Sequence, residues 1–186
     1  MYALKDRRRQ SVPVSAGALK VAVVADTHSA PHPRAAKLVA AESPDLILHA
    51  GDIGALDVVA KFAKIAPTVA VRGNIDGHEM PDAVTLDFVD GDTTLFTLLL
   101  LHIGVNGPRL RADAARLAKS EKAHIVVCGH SHVPFIGRDK NFSVFNPGSI
   151  GPRRFHLPIV FGVMELAAGK LTMKHVDCES GETWLP

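Results

Sequence analysis

Short apolar runs alternate with amphipathic segments through the first half of the chain. In the stretch Leu19–His28, six of the first seven residues are apolar and three are β-branched, which predicts a strand buried on both faces. Amphipathic segments predict helices over Arg34–Glu42 and Ala55–Ile65. Each is followed by a further buried strand, at Leu46–His49 and at Thr68–Val71. This alternation predicts right-handed crossovers and a parallel sheet.

The pattern changes in the second half, where paired extended runs predict hairpins. Val84–Asp90 and Thr94–Leu101 flank the turn residues Gly91-Asp92. A helix is predicted over Pro108–Glu121 and a buried strand over His124–Cys128. Two further hairpins are predicted, pairing Val133–Arg138 with Asn141–Phe145 and Leu157–Leu166 with Leu171–Val176.

The length and composition predict one folded domain. The chain has 186 residues, of which 47% are hydrophobic and 22% are charged, as in ordinary globular domains. Residues 1–17 are polar and basic and show no period, so we expect a flexible N-terminal extension before a single domain at 18–186. Arg7-Arg8-Arg9 within it can either contact phosphate or be solvated, and the solvated tail is favoured.

Composition also indicates which binding partners and which cellular compartment to expect for this protein. The formal net charge is +2 and no long basic stripe is interleaved with aromatic residues, which disfavours nucleic acid. The apolar run around Leu98–Leu101 is far shorter than the roughly 20 residues of a membrane span. Cys128 and Cys178 do not make a disulfide framework, and no signal peptide is recognised. We therefore expect a cytoplasmic protein without a membrane partner.

Polar side chains follow the predicted parallel strands at the same end. Asp26, Asp52 and Asn74 come directly after the first three buried strands, and His28 follows Asp26 by two residues. Ligand sites in open α/β sheets lie beyond the carboxyl ends of the strands. Glycine precedes Asp52 and Asn74, which lets the backbone turn off the strand.

Three histidines extend this set of strand-end residues. His102 ends one run of the second half, and His130 and His132 follow another. Seven oxygen and nitrogen ligands exceed what one catalytic zinc takes from protein, but they suit two metals about 3.5–4 Å apart. Asp52 is the natural bridge between them. The alternative is that the acidic and amide residues cap helices and the histidines are ordinary loop residues.

In their order along the chain, these motifs resemble the signature of the calcineurin-like metallophosphoesterases. They are Asp26-Thr27-His28, Gly51-Asp52, Gly73-Asn74, His102 and Gly129-His130-Ser131-His132. The short chain, Asn74-Ile75-Asp76 and Asn146-Pro147-Gly148-Ser149 are most similar to the small single-domain YfcE-like phosphodiesterase branch.

The resemblance implies a fold, a cofactor and a reaction. It implies an α/β protein built as a four-layer αββα sandwich, with two mixed sheets flanked by helices. It also implies two divalent metals, with manganese favoured and iron, zinc or nickel also fitting, and attack on phosphorus by a metal-bridging hydroxide. One metal would take Asp26, His28, His132 and Asp52. The other would take Asp52, Asn74, His102 and His130.

One departure from the family affects the expected chemistry. Many relatives carry histidine directly after the asparagine, as proton donor to the leaving group, and here that residue is Ile75. Asp76 and His78 are the nearest substitutes, and Asp76 can equally stabilise a turn. We predict Asp52, Asn74 and Asp76 as catalytic residues.

The substrate contacts are predicted around the same loops. Asn74, Ser149 and Arg153 are the candidates, with Arg154 ranked below Arg153, because a guanidinium binds an anionic substrate bidentately. The residues 146–149 can instead form a structural turn.

The sequence thus predicts a dimetal-dependent enzyme that hydrolyses a small-molecule phosphodiester. Three alternatives stay open: a phosphomonoesterase, a metal-binding scaffold of the same fold that works through protein contacts, like a retromer sorting subunit, and, less favoured, a nuclease. The sequence also leaves open whether the chain forms a homo-oligomer.

Overall fold

Strands account for most of the regular structure in the computed structural model, which describes residues 4–139 and 142–185. In chain order the elements are β1 (Arg7–Pro13), β2 (Leu19–Val24), α1 (Ala35–Ala41), β3 (Leu46–His49), α2 (Asp57–Ala63), β4 (Thr68–Ala70), β5 (Ala83–Asp90), β6 (Thr93–Leu101), β7 (Val105–Asn106), β8 (Arg109–Leu110), α3 (Ala112–Ser120), β9 (Ile125–Val127), β10 (Phe135–Asp139), β11 (Phe142–Asn146), β12 (Val160–Ala167), β13 (Lys170–Asp177) and β14 (Thr183–Trp184).

The long strands form two mixed six-stranded sheets. One sheet has the order β1-β5-β6-β9-β11-β10 and the other the order β14-β13-β12-β2-β3-β4. Strands β2, β3 and β4 run parallel, as the strand–helix alternation predicts. The three predicted hairpins are present as β5–β6, β10–β11 and β12–β13, although Asn141 lies outside the described residues.

Side chains of the central strands alternate between two cores, which sets the layers. In β2, Val21 and Val23 face the core between the sheets, whereas Ala22 and Val24 join a second core beneath α1 and α2. In β6, Leu98 and Leu100 face the inter-sheet core, whereas Leu99 and Leu101 pack under α3. The predicted four-layer sandwich is therefore confirmed, because each sheet is buried on both faces.

The predicted flexible extension is wrong over residues 7–13. This segment forms β1 and pairs in parallel with β5 over its whole length, while residues 1–3 lie outside the described structure. Val12 and Val14 are buried, and the Arg9 guanidinium binds the carboxylates of Asp87 and Glu121. β1 is an edge strand with most of its side chains exposed, so its sequence is polar and shows no hydrophobic periodicity. Main-chain pairing with β5 stabilises it instead.

The predicted helix at Pro108–Glu121 begins later than expected. Val105–Asn106 and Arg109–Leu110 form a small hairpin around Gly107, whose φ is +58°. Arg111 is extended and leads into α3 at Ala112. None of the helices within the described ranges is long and apolar enough to cross a bilayer.

The two cysteines do not form a disulfide, as the sequence predicts. Cys128 and Cys178 are free and buried. Trp184 anchors the C-terminal strand, since its ring meets that of His175 edge-on with centroids 5.8 Å apart.

Replacing the buried Phe62 of α2 by alanine tests the helix–sheet core. The side chain is 1% exposed, so Phe62→Ala should lower the free energy of unfolding by about 3–5 kcal/mol. Phe155 is 91% exposed, and Phe155→Ala should change it by less than about 0.5 kcal/mol. Urea denaturation of both variants measures the difference, and equal losses would contradict this description of the core.

Candidate metal centre

The predicted ligands lie where the carboxyl ends of strands from both sheets meet. Asp26 and Asp52 follow β2 and β3 of one sheet, and His102 and His130 follow β6 and β9 of the other. Two groups of donor atoms form there, each with all its atoms within 4.8 Å of one another: Asp26 with His28 and His132, and Asp52 with His102 and His130. Each group therefore combines residues from both sheets.

In the first group, two imidazoles converge beside one carboxylate. His28 Nε2 lies 3.4 Å from His132 Nε2, and His132 Nε2 lies 3.4 Å from Asp26 Oδ1. The two rings are stacked with centroids 5.3 Å apart. These nitrogen and oxygen atoms therefore lie close enough together to face one common volume.

Asp52 stands between the two groups. Its Oδ1 lies 3.2 Å from His102 Nε2, and its Oδ2 lies 3.7 Å from His28 Nε2. The backbone N–H of Asn74 donates to Oδ1 over 2.6 Å, which brings the backbone of this residue next to the carboxylate. One carboxylate thus presents an oxygen to each group, which is the arrangement that a bridging ligand needs.

Most of these residues have a left-handed backbone. Positive φ angles occur at Asp26 (55°), His28 (45°), Asp52 (52°), His130 (69°) and His132 (59°). Such conformations cost about 1–3 kcal/mol each for residues other than glycine, and they concentrate at functional sites. This backbone conformation redirects the chain near the ends of the strands, which helps to bring the side chains together.

Two glycines allow these turns for different reasons. Gly51 has a φ of +89°, as expected for a sharp turn before Asp52. A Cβ on Gly73 would lie 2.1 Å from Asp52 Oδ1, so Gly73 is needed for close approach and not for its φ. A side chain at residue 73 would displace the carboxylate.

Burial and neighbouring charges set opposite shifts on the two carboxylates. Burial raises the pKa of Asp26 to about 7. Burial also acts to raise the pKa of Asp52, but the adjacent His102 imidazole and backbone N–H groups outweigh it and hold that pKa below its usual value. Asp52 is therefore the more firmly ionised of the two.

The imidazoles are tuned in two directions as well. Burial lowers the pKa of His28 and His130, and lowers the pKa of His132 to about 4. Their neutral rings carry the lone pair that a metal requires. Burial opposes a charge on His102, but the carboxylates of Asp52 and Asp26 outweigh it and raise its pKa.

The donor set fits a divalent cation. His102 Nδ1 lies 2.7 Å from the carbonyl oxygen of Ala50, which orients the ring and leaves Nε2 facing Asp52. Nε2 is buried and has no hydrogen-bond partner within the described chain. A buried nitrogen held beside a carboxylate without a hydrogen bond is the position that a metal ion satisfies.

Residues behind the ligands brace the loops. The Asn146 carboxamide donates to the carbonyl of Gly129 and to Ser131 Oγ, which ties the loop of His130 and His132 to β11. Ser149 is buried and its Oγ donates to the carbonyl oxygen of Asp26. The geometry therefore favours the structural-turn interpretation of residues 146–149, and a contact of Ser149 with substrate stays a prediction.

His49 also supports these loops, although no role for it is predicted from the sequence. It is fully buried, its Nδ1 accepts the N–H of Gly51 over 3.2 Å, and its Nε2 lies 3.1 Å from Thr27 Oγ1. The available signal was its place at the end of an apolar strand, directly before Ala50-Gly51-Asp52.

Asp76 stabilises the turn beside the centre. Its carboxylate accepts the backbone N–H groups of Ile53, Gly54 and Gly73 over 2.7–3.0 Å. This favours the turn-stabilising alternative over the predicted catalytic role. The other substitute, His78, contacts the Arg72 guanidinium over 2.8 Å.

Of the two adjacent arginines, Arg154 and not Arg153 lies beside the predicted ligands. Arg153 donates to the carbonyl of Leu157 and pairs with the carboxylate of Glu179, so its guanidinium is engaged away from the ligands. Arg154 Nη2 lies 3.1 Å from His28 Nε2. The two residues are adjacent in the sequence, and only the path of the loop separates their roles.

A sequence relative supports the resemblance drawn from the motifs. A probable metallophosphoesterase from Methanocaldococcus jannaschii is 30% identical over 139 residues, covering 72% of this chain and 69% of the relative.

Solved structures share the fold at lower identity. A novel archaeal phosphodiesterase is 19% identical with a TM-score of 0.67, covering 85% of this chain and all of the other. Vps29 with bound zinc from Entamoeba histolytica is 18% identical with a TM-score of 0.71, covering 89% and 96%. The phosphoesterase YfcE from E. coli is 18% identical with a TM-score of 0.54, also covering 89% and 96%.

The family model for the calcineurin-like phosphoesterase superfamily domain matches residues 19–169. That range contains both ligand groups, the bridging position of Asp52 and the three helices of the sandwich. The chain belongs to the calcineurin-like phosphoesterase superfamily.

Proposed function

We propose that this protein is a dimetal-dependent phosphoesterase that hydrolyses small-molecule phosphodiesters. The observation that carries the proposal is the Asp52 carboxylate, which presents one oxygen to each of the two ligand groups. The family membership supports the hydrolytic chemistry, and the two groups of oxygen and nitrogen donors support the pair of cations.

The proposed ligands follow the two groups. One cation would be held by Asp26, His28, His132 and Asp52, and the other by Asp52, Asn74, His102 and His130. We propose manganese for both, because mixed carboxylate, amide and imidazole donors suit it; zinc, iron and nickel fit the same set.

The chain's own part in the reaction is to fix the geometry. Two divalent cations, when bound, lower the pKa of a water molecule and neutralise charge on the phosphoryl group. The carbonyl of Ala50 orients His102, and the N–H groups of Asn74 and Ile75 hold Asp52 Oδ1. Asp76 fixes the turn that carries them. These contacts place the substrate-facing donors before the substrate arrives.

The choice of a diester over a monoester rests on one residue and one structural relative. Ile75 is 52% exposed where many relatives carry an acidic imidazole, so esters with good leaving groups are favoured because general acid help is weakened. The archaeal structure with the same fold is described as a phosphodiesterase. Rates on matched aryl mono- and diesters distinguish the two activities.

A metal-binding scaffold is the second candidate function, because the zinc-containing Vps29 structure shares the fold over 89% of this chain. A scaffold would bind metal and show no turnover on any phosphate ester.

We propose action in the cytoplasm, which the two free buried cysteines support.

Asp52→Asn tests the bridging role. It keeps the size of the side chain but removes the charge shared by both cations. Metal-dependent hydrolysis of bis(4-nitrophenyl) phosphate should therefore fall by more than the roughly 10–100-fold that loss of a supporting group costs. Asp57→Asn is the matched control, since Asp57 is exposed and pairs with Lys61 on α2; it should retain full activity. Undiminished hydrolysis by Asp52→Asn would contradict the proposal.

Gly73→Ala tests the close approach at the centre. The new Cβ would collide with Asp52 Oδ1, so manganese affinity measured by calorimetry should drop by at least about 10-fold. Gly169→Ala is the control: its turn is open, and the substitution should lower stability slightly at a φ of +73° while leaving metal affinity unchanged. Equal manganese affinity in wild type and Gly73→Ala would show that Asp52 does not bind metal as proposed.

A further inference from the structure

Exposed apolar side chains adjoin the candidate centre in sequence. Within the described residues, the large apolar side chains that are substantially exposed are Leu56, Ile75, Leu95, Val133, Ile136, Phe155 and Leu185. Three of them directly follow a predicted ligand or a residue in contact with one: Ile75 follows Asn74, Val133 follows His132, and Phe155 follows Arg154, whose guanidinium contacts His28. The loops that carry the polar groups therefore also carry these three exposed apolar side chains, which we call the apolar rim and which the hydrolysis of phosphate does not itself require.

Phe155 is the most exposed member of this rim. Its side chain is 91% exposed and its backbone φ is +52°. A left-handed backbone is unfavourable for an aromatic residue, and such outliers concentrate where a structure contacts ligands. Because the ring is almost fully exposed, its large apolar surface is available to stack on a planar partner.

Arg154, the residue before it, provides a cation with a replaceable partner. Its guanidinium donates to His28 Nε2, and the ion pairs of the described chain include none between Arg154 and a carboxylate. A cation held by His28 would take this lone pair, and the guanidinium would then need another acceptor. A non-bridging phosphate oxygen matches its donor geometry.

We propose that Arg154 and Phe155 form the substrate-recognition element of this site. Arg154 binds a non-bridging phosphate oxygen, and Phe155 stacks on an aromatic ester group, with Ile75 and Val133 on the neighbouring loops. The substrate class is a phosphodiester that carries an apolar aromatic group. This inference rests on the proposed phosphodiesterase function.

Binding of two phosphonates to the manganese-loaded protein tests the element without turnover. Calorimetry should show phenylphosphonate binding about 3–10-fold more tightly than methylphosphonate. Phe155→Ala should abolish that difference, and Arg154→Gln should weaken both ligands about 10-fold.

Matched controls separate recognition from general damage. Arg153→Gln removes the neighbouring guanidinium, which is paired elsewhere, and should leave both affinities unchanged. Leu95→Ala removes an exposed apolar side chain seven residues before His102 on β6, about 20 Å along the strand, and should preserve the preference. A preference that persists in Phe155→Ala, or an equal loss in Arg153→Gln and Arg154→Gln, would overturn the inference.

A kinetic arm distinguishes this inference from the proposed function. Methyl and phenyl 4-nitrophenyl phosphate share a leaving group and differ only in the retained ester. Wild type should favour the phenyl diester in kcat/KM, mainly through KM, and Phe155→Ala should not. Hydrolysis of both diesters at equal rates would overturn the aromatic subsite and leave the phosphodiesterase intact. Absence of any hydrolysis, with the phosphonate preference retained, would overturn the phosphodiesterase while the binding element stands.

Discussion

The contact of the Asp52 carboxylate with the His102 imidazole from the facing sheet is the constraint on which the rest of the site depends. Asp52 follows β3 of one sheet, and His102 follows β6 of the other. Their separation is therefore set by the inter-sheet core, where Leu48 and Leu100 are fully buried. Close packing transmits any shift of the sheets to the ligand atoms. The hydrophobic packing between the two sheets therefore positions the polar residues at their edge.

The backbone conformations and buried charges at this polar edge cost free energy, and contacts with the surrounding residues offset that cost. Five residues of the two groups have a left-handed backbone, and two carboxylates lie almost fully buried near each other. His49, Asp76 and Asn146 fix the loops through hydrogen bonds to backbone groups. The raised pKa of Asp26 and the lowered pKa of Asp52 show the resulting electrostatic asymmetry. A pair of cations would relieve the repulsion that the fold imposes.

The sequence predicts those parts of the molecule in which periodicity and strand order dominate. Strands such as β2 and β6 are apolar on both faces, so their burial and their polar ends are evident. The edge strand β1 is not evident from the sequence, because its stability comes from main-chain pairing and from the ion pairs of Arg9. The sequence does not predict which of Arg153 and Arg154 reaches His28, because a single step along a loop decides it. Asp76 was ambiguous for a similar reason, since its three N–H partners come from two separate loops.

Membership in the superfamily implies metal-assisted phosphoester chemistry. The geometry of this chain adds a carboxylate, that of Asp52, which presents one oxygen to each ligand group. The proposed function depends on two cations that share Asp52. Anomalous diffraction from a crystal grown with manganese tests this most directly. We expect two peaks about 3.5–4 Å apart, both in contact with Asp52. A single peak, or ions bound away from this carboxylate, would contradict it.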